Sequence, residues 1–300
     1  MKKFVTHTLA FLLPIVFLGF IVEALLRRIP NDYKLKKAYL DHNASNVQTL
    51  ILGNSHSFYG VDPKFLTTNS FNAASVSQSL NYDYYILKKY ENHWTHLTQI
   101  VIPIDYFTLY KNLDIGSDLW RRKNYNLYYD MNVSSDIATN TELLSTRFKS
   151  NLTRLTSYYI FKNSLITTEA LGWGNAYKGH KDLQKTARVA LSRHTVKNYN
   201  LLADNVRTLT NIIKFAKARN IDVVFFTSPA CKYYYDNVSQ AQIGKTLSEV
   251  KKLKDAYGVK YVNLLDDKSF LDADFYDADH LNWAGAKKLS LKINHIVNHL

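Results

Sequence analysis

Leu50-Ile51-Leu52-Gly53-Asn54-Ser55-His56-Ser57 is an apolar run that ends in a small, polar turn. Such a run is typical of a buried strand, and open α/β sheets bind their ligands at the carboxyl ends of strands. Similar runs recur along the chain, and segments with helical spacing separate them. The predicted strands are 49–52, 70–73, 99–104, 222–227 and 260–264, and the predicted helices are 82–90, 196–219, 239–257 and 284–299. This alternation predicts an α/β fold, a three-layer sandwich around a mostly parallel five-stranded sheet.

Residues 106–195 interrupt the alternation. They are rich in Tyr, Asn, Arg and Lys and show no strong strand pattern. So long a segment is rarely a structureless loop in a compact domain. We therefore predict a largely helical insertion over the strand ends, within one α/β domain that spans residues 31–300.

Residues 1–30 predict a membrane anchor. Phe4 to Val22 is a stretch of 19 residues without Asp, Glu, Lys or Arg. At about 1.5 Å per residue it spans roughly 28 Å, close to the hydrocarbon thickness of a bilayer. A signal peptide is one alternative, although Glu23-Ala24-Leu25-Leu26 is not a small-residue cleavage site. A buried core helix is the other. More basic residues follow the stretch than precede it, so the positive-inside rule does not favour an exported domain.

The composition excludes several classes of protein. The 10 Gly and 5 Pro are few for 300 residues, and 46% of the residues are hydrophobic, which excludes disordered and collagen-like chains. The single cysteine, Cys231, excludes an internal disulfide framework and a cysteine-cluster zinc site. The formal charge of +13 favours anionic partners. Because the basic residues are scattered and follow an anchor, we expect a membrane and anionic glycan or lipid headgroups, and no nucleic acid.

Two short motifs at opposite ends of the domain carry the candidate chemistry. Ser55 follows the first strand, and Asp277 and His280 lie three residues apart just before the last helix. A serine hydroxyl becomes a nucleophile when a histidine takes its proton, and a carboxylate usually orients that histidine. Each motif alone is more often a helix cap or a solvated turn. Their combination in this order, at the two ends of an α/β unit, is much more informative than either motif alone. We expect neither a cofactor nor a metal.

This combination resembles the SGNH (GDSL-like) hydrolase superfamily, over about residues 47–104 and 220–299. Gly53-Asn54-Ser55-His56 stands in the place of the first block, and Asp277 and His280 match the last. Leu281-Asn282 with Gly285-Ala286 is similar to the membrane-anchored envelope branch, which includes the alanyl-transfer protein of teichoic-acid D-alanylation and acetyl-transfer proteins of polysaccharide modification. The resemblance implies a flavodoxin-like sheet, Ser55 as nucleophile, His280 as base and then acid, and Asp277 as its orienter. It also implies an outward-facing, extracytoplasmic domain and a multispanning membrane acyltransferase as a candidate partner.

The resemblance implies an oxyanion hole, and here the chain departs from the family. The backbone N–H of Ser55 and one from the second block, Phe71-Asn72-Ala73-Ala74, would hold the oxyanion, so Ser55 and Ala74 are the candidates. The third block usually supplies an asparagine, but this chain reads Pro103-Ile104-Asp105-Tyr106. Asn72 is the replacement candidate, through its side chain. We expect the Asp105 carboxylate to point away from a developing oxyanion.

Other residues are weaker candidates. His56 is expected to line the cleft or to pack, and His194 shares no spacing with the other histidines. The acidic run over 266–279 does not follow a calcium-loop pattern. Cys231 is expected to be a small buried apolar residue.

Two functions of different classes fit these observations. One is a membrane-anchored serine esterase or acyltransferase that acts on acyl groups of a cell-envelope glycan or polysaccharide. The other is a non-catalytic protein of the same fold that binds glycan or assists polysaccharide assembly. The Ser55, His280 and Asp277 set favours the enzyme, and the missing third-block asparagine favours the binding protein.

Overall fold

The computed structural model describes residues 1–299. The strands are β1 (Thr49–Ile51), β2 (Ser70–Asn72), β3 (Gln99–Pro103), β4 (Asp222–Thr227) and β5 (Lys260–Asn263). The helices are α1 (Lys2–Arg28), α2 (Asp32–Asn43), α3 (Ser55–Gly60), α4 (Leu80–Lys89), α5 (Lys123–Tyr129), α6 (Glu142–Ser145), α7 (Phe148–Leu155), α8 (Leu183–His194), α9 (Leu202–Lys217), α10 (Lys232–Tyr235), α11 (Gln240–Tyr257) and α12 (Trp283–His299). Every predicted strand and helix is present, with ends shifted by a few residues.

The five strands form one parallel sheet in the order β2-β1-β3-β4-β5. Leu50 in β1 is paired with Phe71 in β2 and with Ile100 in β3. These central residues are fully buried, because a parallel sheet covered on both faces has no polar side. The carboxyl ends of β1 and β3 therefore lie side by side.

Helices pack on both faces of the sheet. In the sheet β2 lies on one side of β1, whereas β3, β4 and β5 follow one another on its other side. Because crossovers between parallel strands are right-handed, the helix after β1 lies on one face of the sheet. The helices after β2, β3 and β4 lie on the other face. Accordingly α12 packs against α3, whereas α9 packs against α4 and α11. Leu289, Ile293 and Val297 repeat at helical spacing on α12 and are buried in the same core as Ile51 of β1. The predicted three-layer α/β sandwich is confirmed.

The chain divides into two compact units. One comprises Met1–Lys37 and Ser117–Ile166, and the other comprises Ala38–Gly116 and Thr167–Leu300. The second unit contains the whole sheet. The first contains α1 and the helices α5, α6 and α7, so the predicted insertion at 106–195 has residues in both units.

The helix α1 is long and apolar enough to cross a membrane, and among residues 1–299 no other helix is. A signal sequence can have the same length and composition. Along 4–21 almost every apolar side chain of α1 is exposed. A long helix that is hydrophobic all round and has no protein cover is typical of a membrane-spanning segment.

Candidate active site

A glycine turn links β1 to α3. Gly53 has φ +109°, and a Cβ there would lie 2.4 Å from Cγ and Cδ of Pro103, the last residue of β3. Glycine alone fits both the backbone and the space. The Gly53 N–H donates to Oδ1 of the buried Asp83, 2.8 Å away. The turn is thereby fixed from two sides.

Ser55 is the first residue of α3. Asn54 caps this helix, because its Oδ1 accepts from the His56 N–H at 2.8 Å. The Asn54 side chain also donates to Oδ2 of Asp105, 3.1 Å away. The Ser55 N–H has no acceptor within the described residues 1–299. This cap places the Ser55 hydroxyl and its free N–H together at the carboxyl end of β1.

The structure brings Ser55, His280 and Asp277 into one hydrogen-bonded row. Nε2 of His280 lies 2.9 Å from Oγ of Ser55, and Nδ1 of His280 lies 2.8 Å from Oδ1 of Asp277. The Asp277 carboxylate also accepts from the His280 backbone N–H at 3.0 Å. Both residues lie in a tight turn before α12, closed by the pairing of Phe275 with Leu281. This is the geometry in which a carboxylate fixes the imidazole tautomer and the imidazole can take a serine proton.

His56 is buried between two carboxylates. Its Nδ1 lies 3.0 Å from Oδ2 of Asp105, and its Nε2 lies 3.2 Å from Oδ2 of Asp279. Burial alone lowers the pKa of His56, but the two facing carboxylates outweigh burial and raise this pKa to about 10. His56 is therefore a buried cation at neutral pH, with an acidic residue on each side.

The two carboxylates beside His56 are correspondingly ionised. Burial raises the pKa of Asp105, but His56, the Ser228 N–H and the Asn54 amide together hold it below its ordinary value. Burial likewise raises the pKa of Asp279, and its histidine neighbours, His280 first, hold it far below its ordinary value. The Asp105 carboxylate is thus occupied by these partners, in agreement with the expectation that it does not face an oxyanion.

Asp279 connects the ion pairs of His56 to the hydrogen-bonded row of Ser55, His280 and Asp277. Its Oδ1 lies 3.5 Å from Nδ1 of His280, behind the closer Asp277. His194 of α8 lies on the other side, with its Nδ1 3.6 Å from Oδ2 of Asp279 and 2.9 Å from the Tyr234 hydroxyl. Burial is the largest of the causes that lower the pKa of His194 to about 3, so this imidazole is neutral.

Sequence patterns do not predict this cluster. Asp105 could have been found, because it follows β3 and so lies beside the carboxyl end of β1. No predicted strand places His194 near the carboxyl end of β1, since α8 belongs to the predicted insertion. Asp279 was seen only as part of an acidic run, although it lies next to the Asp277 and His280 pair.

Two of the three oxyanion candidates donate their hydrogens to other groups in the fold. The Asn72 side-chain amide donates to the carbonyl oxygens of Ser57, at 2.8 Å, and Val61, at 2.7 Å. Its Oδ1 accepts from the Ala74 N–H at 3.0 Å. The hydrogens that Asn72 and Ala74 would offer an oxyanion are therefore engaged in holding α3 and the loop after β2. The Ser55 N–H is the candidate that the fold leaves open.

A stack of tyrosine rings covers one side of His280. Tyr177 lies 3.8 Å from the ring of Tyr59 and 3.9 Å from that of Tyr276, both nearly parallel to it. The edge of the His280 ring meets Tyr177, with the ring centroids 5.4 Å apart. Burial raises the pKa of Tyr177, so its hydroxyl stays protonated. This stack shields the imidazole from water on that side.

The segment that carries Tyr177 is tied to α3. The Trp173 indole N–H donates to the Tyr59 carbonyl at 2.8 Å, and the Gly174 N–H donates to the Phe58 carbonyl at 2.8 Å. A Cβ at Gly174 would lie 2.6 Å from the Phe58 ring, so this close approach requires glycine.

The arrangement offers a set of metal-ligand atoms as well. Donor atoms of His56, Asp279 and His280 lie within 4.8 Å of one another. Within this set His56 Nε2 and Asp279 Oδ2 are 3.2 Å apart. Cys231 is outside this set: it is buried, and burial raises its thiol pKa to about 11.

Replacing Gly53 by alanine tests the turn before Ser55. We expect Gly53→Ala to lower the free energy of unfolding by about 2 kcal/mol or more, because φ is positive and the Cβ meets Pro103. Gly244 is the matched control, since it lies exposed in α11 with open space around it. Gly244→Ala should leave stability unchanged or raise it by up to about 1 kcal/mol. Equal denaturation midpoints for the two variants would contradict the role of Gly53.

The charge on His56 should appear in the pH dependence of stability. Its pKa is about 10 in the folded protein and 6.5 ordinarily, so its stabilisation is complete below pH 6.5 and is lost as the pH rises through 10. Between these values the free energy of unfolding should fall by up to about 1.4 kcal/mol per pH unit. His56→Gln should be less stable at pH 7 and should lack this slope.

His93→Gln is the control for this measurement, because His93 lies exposed at the surface. Urea titrations of the wild type and both variants at several pH values give the three slopes. A slope that persists unchanged in His56→Gln would show that another group carries it.

Comparisons with known proteins find likeness in structure alone. No protein-family model matches the sequence, and no curated protein matches it. A crystal structure of a protein assigned as an acylhydrolase, from Bacteroides fragilis, has a TM-score of 0.40 and 10% identity, over 86% of this chain and 95% of that one. A GDSL-like lipase from Bacteroides thetaiotaomicron has a TM-score of 0.39 and 11% identity, over 89% of this chain and 100% of that one.

Proposed function

We propose that the protein is a membrane-anchored serine esterase or acyltransferase that acts on acyl groups of a cell-envelope glycan. The observation that carries this proposal is the row in which His280 Nε2 lies 2.9 Å from Ser55 Oγ and His280 Nδ1 lies 2.8 Å from Asp277 Oδ1. Both distances are within the reach that proton transfer requires.

The proposed reaction has two acyl-transfer steps. Ser55 Oγ attacks the ester carbonyl carbon while its proton passes to Nε2 of His280. His280 then gives this proton to the departing alcohol oxygen as the ester bond breaks, which leaves the acyl group on Ser55. Water or a glycan hydroxyl attacks this acyl-enzyme, His280 takes the proton of the attacking group, and the proton returns to Ser55 as it leaves. Asp277 stabilises the imidazolium that forms in each step.

The Ser55 N–H and the surroundings of His280 support this chemistry. The N–H at the start of α3 is adjacent to the reacting hydroxyl and is a donor for the oxyanion. The tyrosine stack of Tyr59, Tyr177 and Tyr276 limits water on one side of the imidazole, which strengthens electrostatic interactions there.

An anionic glycan is the substrate class that the side chains near this stack favour. The Lys181 ammonium lies 4.5 Å from the Tyr276 ring centre, and Lys178 lies 4.7 Å from that of the partly exposed Trp283. Exposed aromatic rings beside ammonium groups suit the flat faces and acidic groups of such sugars. Anchorage by α1 and an extracytoplasmic position belong to the same proposal, because envelope glycans lie outside the cytoplasmic membrane.

Labelling with a fluorophosphonate tests the nucleophile. The wild type should be labelled and should hydrolyse a short-chain acyl ester, whereas Ser55→Ala should lose labelling and about 10³-fold or more of the turnover. Ser57→Ala is the matched control, since the buried Ser57 hydroxyl lies two residues away on the same helix and has no hydrogen-bond partner in residues 1–299. It should retain both activities.

Two outcomes would contradict the proposal. Labelling that persists in Ser55→Ala would place the nucleophile elsewhere. A folded wild type that is not labelled and turns over neither simple esters nor acylated glycans would leave the non-catalytic glycan-binding function.

A further inference from the structure

The helix α6 is fastened to α1 by the Glu23 carboxylate. Glu23 Oε1 accepts from the Glu142 N–H at 2.9 Å, and Oε2 accepts from the Leu143 N–H at 2.8 Å. A Cβ at Gly19 would lie 3.8 Å from a methyl carbon of Leu143, so the two helices are in close contact there. The Tyr159 hydroxyl, beyond α7, donates to the Leu25 carbonyl at 2.9 Å.

A separate group of buried ion pairs around Glu142 makes this attachment rigid. Glu142 is fully buried, and its carboxylate pairs with Lys123 and with Arg154, which lies 2.6 Å away. The Asn151 amide of α7 donates to carbonyl oxygens of Glu142 and Leu143. The α6 and α7 segment therefore has a fixed position along α1.

That position is the end of the apolar stretch of α1. The stretch runs from Phe4 to Val22, and the contacts fall at Gly19, Glu23 and Leu25. At about 1.5 Å per residue, Gly19 lies roughly 4.5 Å before the last apolar residue. When α1 spans a bilayer, α6 and α7 consequently lie at the boundary between the acyl chains and the headgroups.

The outer side of this segment is apolar and exposed. Phe148 is 75% exposed and Leu152, one turn later, is 49% exposed, whereas Asn151 between them is buried. We call the exposed apolar side chains of this segment the α7 patch. Its members are Leu144, Phe148, Leu152, Ile160 and Phe161.

The charged residues of the segment that carries the α7 patch are all basic. From Leu143 to Ile166 the chain has no Asp or Glu, and Arg147, Lys149 and Lys162 are exposed. An apolar face bordered by basic side chains is typical of a segment that lies in the plane of an anionic membrane interface.

We propose that the α7 patch inserts into the interface of the membrane that α1 crosses, as a second membrane contact of the protein. This inference rests on the proposed anchorage by α1. The α7 patch binds lipid in this proposal, because it adjoins a membrane-spanning helix at the depth of the headgroups. Its basic residues also suit the phosphates of the headgroups.

Spin labels on the full-length protein test this proposal. The protein is reconstituted in vesicles of phosphatidylcholine with phosphatidylglycerol as the anionic lipid. Single labels are placed at Phe148→Cys and, separately, at Phe161→Cys, in a Cys231→Ala background. Val16→Cys, in the middle of α1, and Lys251→Cys, exposed on α11, calibrate lipid and water.

Collisions with oxygen, which is concentrated in lipid, and with a water-soluble nickel chelate give the depth of each label. At both patch positions the ratio of oxygen to nickel collisions should be severalfold higher than at Lys251→Cys and lower than at Val16→Cys, because the patch lies at the interface and Val16 lies nearer the bilayer centre. If the patch labels resemble Lys251→Cys while Val16→Cys is in lipid, the α7 patch does not insert and the anchor stands. If Val16→Cys itself is in water, the anchorage fails. Spin–spin broadening at Phe148→Cys without lipid contact would assign the patch to a second copy of the chain.

Discussion

The candidate site depends on a buried cation, because the imidazolium of His56 lies between two carboxylates that come from distant parts of the chain. Asp105 follows β3, and Asp279 precedes α12. Without a positive charge between them, the two buried carboxylates would lose the ion-pair partner that they share, which is strongly destabilising. His56 itself is held by the cap that places Ser55 at the start of α3. The same ion cluster therefore connects the turn that carries Ser55, the end of β3 and the turn that carries His280.

Much of the fold could be predicted from the sequence because its physical signals are local. Each strand is a short apolar run, and the later helices repeat apolar residues at helical spacing. The prediction was least accurate where tertiary contacts compete with helix formation. The helix predicted from residue 196 begins at Leu202, because the Val196 N–H instead donates to the Gln242 side chain and the chain turns there. The tie between α1 and α6 joins residues too far apart in sequence for any periodic pattern to reveal.

The sequence places Ser55, His280 and Asp277 as candidates for one site, but it does not predict the ion cluster that surrounds them. Asp277 and His280 form a local motif. The strand before Ser55 predicts that this serine lies at the carboxyl end of the sheet. The ion cluster joins His56 to a residue 223 positions away, so that it exists only in the folded chain. The Asn72 amide has the right chemistry for an oxyanion donor, and only the structure shows that its hydrogens are already bound. Residue types thus indicate what chemistry is available. The hydrogen bonds of the folded chain determine which of these groups are free to take part.

The protonation state of His56 is the most direct test of this account. Nitrogen NMR of protein labelled at the histidine rings distinguishes a doubly protonated imidazole from either neutral tautomer, and the His56→Gln spectrum assigns the signals. The account predicts that both ring nitrogens of His56 carry protons at pH 8, where an ordinary histidine is neutral, since its pKa is about 10. A neutral His56 at pH 8 in the folded protein would contradict it, because no buried cation would then hold Asp105 and Asp279 together.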